Sequence, residues 1–120
     1  MRENNKKTIV IFGGSGGIGF EATKYFFKKG YNLVVTYNKN PKLIKNFISK
    51  KKEQQNKIFT FKCSFFNQNS IKKTIKFAFK QNHEISCVIN CVGIFEYDNF
   101  KSFNYKKISD IFKINTFSLI

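Results

Sequence analysis

The sequence is short of the residues that disulfide, metal and hydrolytic chemistry require. Three cysteines and one histidine occur among 120 residues. Cys63, Cys87 and Cys91 stand in apolar, strand-like surroundings without CxxC or paired spacing, which predicts reduced, buried thiols in a cytosol-like compartment. His83 lies in a polar helix-end stretch with no cysteine or carboxylate at ligand spacing, so no metal site is expected. No serine, histidine and acid set suggests hydrolysis. No apolar run approaches the roughly 20 residues of a membrane-spanning helix, and no leader pattern precedes the first strand. A cytoplasmic protein without a membrane partner is expected.

Acidic residues are scarce too, with seven Asp and Glu against 22 Lys and Arg and a formal charge of +15. Arg2 is the one arginine. The lysines are spread along every segment instead of forming a stripe, which argues against specific nucleic-acid reading. Phe, Lys, Asn and Ile, residues written with A and T, dominate the chain. Coding drift therefore explains the charge as readily as an acidic partner or nucleotide phosphates would.

What the chain does have is an ordered alternation. Thr8 to Phe12 is the apolar, β-branched run of a strand buried on both faces. Gly13, Gly14, Gly16, Gly17 and Gly19 follow, and Phe20 to Lys29 then carries Ala22, Tyr25, Phe26 and Phe27 as one covered helical stripe. Strand, glycine turn and helix in that order present a helix N-terminus, with its unpaired amides, to an anion. Gly30 ends the helix. Leu33 to Tyr37 is a second strand, Asn38 to Pro41 a turn, and Lys42 to Gln55 a second helix with Leu43, Ile44, Phe47 and Ile48 at helical spacing. Lys57 to Phe65 is a third strand. Asn67 to Ser70 is a loop with a cap residue, and Ile71, Ile75, Ala78 and Phe79 mark a third helix. Ile85 to Val92 is a fourth strand, and Ile108, Ile111, Phe112 and Asn115 mark a fourth helix.

Four strand-helix units predict an α/β fold: a Rossmann-type, doubly wound parallel sheet with helices on both faces, one domain over residues 1–120. The usual form continues for further strands, and the apolar Leu119-Ile120 end is expected to be a truncation. An apolar sheet edge would then be exposed, predicting poor solubility or pairing with another chain.

Three glycine patterns overlap between Gly13 and Gly19: Gly14-x-Gly16-x-x-Gly19, Gly13-x-x-Gly16-x-x-Gly19 and Gly13-x-x-x-Gly17-x-Gly19. Spacing alone does not choose among them. Taken with Asn90-Cys91-Val92-Gly93 after the fourth strand, however, Gly13 to Gly19 resembles the short-chain dehydrogenase/reductase family. There the motifs read Thr-Gly-x-x-x-Gly-Ile-Gly and Asn-Asn-Ala-Gly. Within that family Gly30 to Tyr37 is similar to 3-oxoacyl-[acyl-carrier-protein] reductases.

The resemblance implies that Gly13, Gly17 and Gly19 approach a cofactor pyrophosphate, with Ser15 and Ile18 lining the loop. It implies that Asn90 and Gly93 lie beside the ribose and nicotinamide. Asn115 would be the fourth-helix asparagine that holds a water in the proton relay. Phe12 stands where the family has threonine, Cys91 and Val92 replace Asn and Ala, and Ser64 stands where an aspartate contacts adenine. Each change removes a hydrogen bond, so weaker cofactor binding than in a typical member is expected.

An acid at the end of the second strand would bind the ribose of NAD and repel a 2'-phosphate. Thr36, Tyr37, Asn38 and Lys39 supply none, which favours NADP over NAD. The family's catalytic Tyr-x-x-x-Lys occurs as Tyr25 with Lys29 and as Tyr97 with Lys101, neither after a fifth strand as the family places it. The expected function is the cofactor-binding half of an NADPH-dependent carbonyl reductase. Its substrate would be a small carbonyl compound or an acyl group on an acidic carrier protein, and a homo-oligomer is expected of the complete protein. The alternative is a truncated dinucleotide-binding module without turnover.

Overall fold

A computed structural model describes residues 7–51, 53, 55–81, 84–95, 101 and 104–116. Arg2, His83, Tyr97 and Leu119-Ile120 lie outside the described residues. The elements alternate as β1 (Lys7–Phe12), α1 (Gly17–Lys28), β2 (Asn32–Tyr37), α2 (Lys42–Ser49), β3 (Ile58–Lys62), α3 (Gln68–Lys80), β4 (Glu84–Asn90) and α4 (Tyr105–Asn115). The four strands form one sheet in the order β3-β2-β1-β4. Every pairing is parallel, with Val10 beside Val34 and Val88, and Val34 beside Phe59.

The alternation of strand side chains builds a core on each face of the sheet. Ile9, Ile11, Leu33 and Val35 meet Phe27 of α1 and Ile44 of α2 on one face. Val10, Phe12 and Val34 meet Cys63 and Ala78 of α3 on the other. The two central strands are therefore apolar at nearly every position, which is the pattern of a parallel sheet covered on both sides.

Several element boundaries differ from the sequence reading, each for a local reason. α1 starts at Gly17, not Phe20, because the Phe20 amide already donates to the Gly16 carbonyl at 3.3 Å. α2 stops at Ser49, not Gln55, where Lys50 and Lys51 donate to the Phe47 and Ile48 carbonyls and tighten the last turn. β3 ends at Lys62 and β4 at Asn90, whose side-chain oxygen turns back to accept the Val92 amide at 2.9 Å.

The expected helical stripe of α1 is also corrected. Its buried residues are Gly19, Thr23 and Phe27, while Tyr25 is exposed. Leu43, Phe79 and Phe112, expected on covered faces, are exposed as well. The helices sit close to the sheet on small residues, Thr23 on α1 and Thr74 and Ala78 on α3, so bulky apolar positions are not the best guide to the covered face. Of the cysteines, Cys63 is buried, Cys91 is half-buried and Cys87 is exposed. Cys87 lies on β4, the edge of the described sheet, where Val88 is also exposed.

Asn56 holds the return from α2. Its buried amide nitrogen donates to the Phe27 carbonyl at 2.9 Å and the Tyr31 carbonyl at 2.8 Å, tying the end of α1 to the start of β2. Asn32 helps by accepting the Lys57 amide at 2.8 Å. Asn56→Ala removes both hydrogen bonds and leaves the Phe27 carbonyl with the Gly30 amide alone, so it should cost about 1 to 2 kcal/mol in urea unfolding. A loss below about 0.5 kcal/mol, the range of an ordinary surface substitution, would contradict this assignment.

Candidate cofactor site

The site is built where β1 stops. Gly13 takes a left-handed φ of 75°, which a side chain would oppose, and it turns the chain away from the sheet. Two hydrogen bonds to Thr36 hold that turn. The Gly13 amide donates to Thr36 Oγ1 at 3.1 Å, and the Gly14 amide donates to the Thr36 carbonyl at 2.9 Å. Thr23 Oγ1 donates to the Gly19 carbonyl at 2.8 Å and lies 3.1 Å from the Gly14 carbonyl, locking α1 under the turn. Ser15 Oγ donates to the Asn40 carbonyl at 3.2 Å, joining the glycine turn to the loop after β2.

The glycines divide into packed and open positions. A Cβ on Gly19 would land on the Gly13 carbonyl oxygen, and one on Gly14 would strike Val35 Cγ1. Gly16 and Gly17 have nothing within 4 Å of that position, and Gly17 again has a positive φ of 53°. Ile18 next to them is exposed. Gly16 occupies the N-cap of α1 with no side-chain cap, whereas Asn67 and Asn104 each accept two amides at the starts of α3 and α4. The first amides of α1 thus stay free to face an anion, with no acidic residue in that turn to oppose it.

A cavity of about 220 Å³ lies beside this turn at the carboxyl ends of the strands. Of the residues singled out in the sequence, Gly13, Thr36, Tyr37, Asn38, Ser64 and Gly93 line it. Ser15, Gly17, Ile18, Gly19, Lys39, Asn90 and Asn115 do not. Asn90 shapes the turn after β4 through its bond to Val92. Asn115 grips the backbone opposite, its Oδ1 accepting the Ile94 amide at 2.8 Å and its Nδ2 donating to the Ile94 carbonyl at 2.9 Å. Both ends of that amide are engaged in shaping the Gly93-Ile94 wall.

Cys91 and Val92, read in the sequence as replacements within the Asn90–Gly93 motif, line it too, whereas sequence reasoning missed Phe65, Phe66, Ile94 and Ile114. Phe65 and Phe66 had a signal, being an aromatic pair in a stretch that otherwise turns polar at Asn67. Burial pushes the Cys91 thiol up from its ordinary value. Tyr25 and Lys29 form a surface pair, the ammonium 5.5 Å from the ring centre. Among the described residues, no three His, Cys, Asp or Glu side chains gather as metal ligands.

The family model described as short chain dehydrogenase matches residues 7–120. An uncharacterized oxidoreductase of Saccharomyces cerevisiae is 25% identical over 108 residues, covering 90% of this chain and 33% of the relative. Sorbose reductase of Schizosaccharomyces pombe is 31% identical over 68 residues, covering 57% of this chain and 27% of that protein. Among solved structures, a Bacillus thuringiensis chain assigned as a 3-oxoacyl-reductase superposes with a TM-score of 0.84 at 18% identity, covering 94% of this chain and 48% of its own. A dehydrogenase assigned in Burkholderia cenocepacia, with NADP bound, gives 0.80 at 18% identity, covering 93% and 43%. A short chain dehydrogenase of Leptospira borgpetersenii, with NAD+ bound, gives 0.75 at 19% identity, covering 94% and 41%. These structural likenesses show the fold. The chain spans about a third of the curated relatives and less than half of each solved chain.

The two partly accessible thiols report on the cavity. Iodoacetamide should modify exposed Cys87 first, and Cys91 should react only as the pH rises past the usual thiol range near about 8.5, since its thiolate is disfavoured by burial. Saturating NADPH should slow alkylation of Cys91 and leave Cys87 unchanged, read by peptide mass mapping. Equal protection of both would disconnect the cavity from dinucleotide binding.

Proposed function

The chain belongs to the short chain dehydrogenase family, and from that premise we propose that residues 1–120 form the NAD(P)-binding Rossmann domain of an NADPH-dependent carbonyl reductase. The observation that carries this reading is the glycine turn pinned on Thr36, with the uncapped start of α1 facing open space at Gly16 and Gly17. That arrangement fits a pyrophosphate, because backbone can approach there and the free amides supply donors. Gly13, Gly17 and Gly19 build the turn, and Ser15 and Ile18 flank it.

When bound, a nicotinamide cofactor supplies the hydride. The chain's own residues bind and orient it. Thr36, Tyr37 and Asn38 border the cavity at the end of β2, and exposed Lys39 follows them. With no carboxylate at this strand end, a 2'-phosphate meets a cation instead of a repelling charge, which supports NADP over NAD. Asn90 and Gly93 carry the turn on the opposite side, where the nicotinamide end would lie. Asn115 is a positioning residue: its side chain holds Ile94, so a relay water would fall to its main-chain carbonyl at the end of α4.

The substrate reading stays with carbonyl compounds, including acyl groups on an acidic carrier protein that a surface of charge +15 would attract. A homo-oligomer in the cytoplasm is proposed for the whole protein. A second reading, a dinucleotide-binding module without turnover, is favoured by one observation. Neither Tyr25 nor Lys29 lines the cavity, and the Lys29 ammonium lies 5.5 Å from the centre of the exposed Tyr25 ring.

Calorimetric titration separates these points. NADPH should bind more tightly than NADH, with a Kd above the low-micromolar range. Lys39→Ala should weaken NADPH about tenfold, as for a hydrogen bond to a charged group, and leave NADH unchanged. Tighter binding of NADH would overturn the cofactor assignment, and carbonyl-dependent NADPH oxidation by the 120-residue chain would overturn the module reading.

A further inference from the structure

The wall that β3 contributes to the cavity is aromatic. Phe65 and Phe66 both line it, and the Phe65 ring is met edge-on by Phe12 at 5.2 Å between centroids. Phe12 is itself buried in the core, so Phe65 has a rigid backing. Phe66 lines the cavity yet stays 59% exposed, an apolar ring left open on a loop between Ser64 and Asn67. Ser64 organises that loop: its hydroxyl accepts the Phe66 amide at 3.3 Å and its carbonyl accepts the Asn67 amide at 3.0 Å. No carboxylate and no cation lines the cavity among the described residues. On the β3 side the one side-chain oxygen is the Ser64 hydroxyl, which accepts the Phe66 amide and so keeps a partner whether or not an amino group faces it.

On the premise that the crevice holds a dinucleotide, we propose that Phe66, together with Phe65, whose ring Phe12 backs, holds the purine base by stacking and apolar contact, and that this wall does not read the base's 6-amino group. A flat ring is held equally by an aromatic face whatever donors it carries on its edge, because every base has a π-face. Discrimination of an amino group instead needs an acceptor left unpaired when the group is missing. The wall has the first feature and lacks the second.

The test uses the 120-residue chain and two probes, NADPH and the analogue whose purine carries hydrogen in place of the 6-amino group, titrated by calorimetry. The unmodified chain should bind both with Kd values within about threefold of each other, as sequence-tolerant stacking requires. Phe66→Ala should weaken both about tenfold, in line with loss of one base–aromatic stack, and Phe66→Trp should restore both. Ser64→Asp should tighten NADPH alone, creating a preference that the unmodified chain lacks. Circular dichroism confirms that each variant folds. A preference of about tenfold or more for NADPH in the unmodified chain, or no loss in Phe66→Ala, overturns this inference while leaving the dinucleotide reading intact. Failure of both probes to bind overturns the two together.

Discussion

Everything at the ligand end of this domain depends on Thr36. Its hydroxyl and its carbonyl each take an amide from the glycine turn, so one residue of β2 determines where β1 stops and in which direction the chain leaves it. Thr36 is buried, and leaving its hydroxyl or carbonyl without a partner there would be expensive. The direction matters because α1 must start within a residue or two of the sheet's edge for its free amides to point along the crevice. Gly14 and Gly19 permit that approach, since a side chain at either would collide with Val35 or with the Gly13 carbonyl. Thr23 completes the arrangement from the helix side. The turn is thus rigid through its neighbours, although its own residues are glycines.

The fold was legible because its signals were long and redundant. Apolar β-branched runs at Ile9 to Ile11 and Leu33 to Val35, each followed by a helix, leave few alternatives to a parallel sheet. The polar stretch Asn67 to Ser70 signals a cap before α3, although it reads as loop in the sequence: the cap is Asn67, which accepts two amides, and the helix already begins at Gln68. The covered faces of the helices were less legible. Thr23, Thr74 and Ala78 carry no hydrophobic signature, yet close helix–sheet packing selects small side chains. Asn56 was invisible for a different reason. In an asparagine-rich chain nothing in the local sequence separates an amide that bridges Phe27 and Tyr31 from one dissolved in water.

The candidate site shows the same division. Motif residues with a backbone role, Gly13 and Thr36, were found by spacing and by strand-end position, and they meet in space. Asn115 was picked out by resemblance, and the structure gives its side chain a definite task at Ile94, holding backbone in place. The lining contributed by Phe65, Ile94 and Ile114 comes from three separated segments. Only the closing of the fold brings them together, so no local pattern could report them.

A neutral cavity in a strongly basic chain raises the question of where anion recognition resides. None of the cavity-lining residues carries a formal charge, and the ion pairs of Glu21 with Lys24 and Asp110 with Lys106 lie away from it. The field of the scattered lysines extends over roughly 8 to 10 Å at physiological salt, which speeds the encounter with any phosphate-bearing ligand but cannot orient it. Orientation has to come from fixed dipoles, such as those of the uncapped first turn of α1, beside Gly16 and Gly17. The charge and the site are therefore separate devices. On the reading proposed above, one would raise the local concentration of anions over the whole surface and the other would give a short run of backbone amides a directional contact, which is why the lysine count says so little about function.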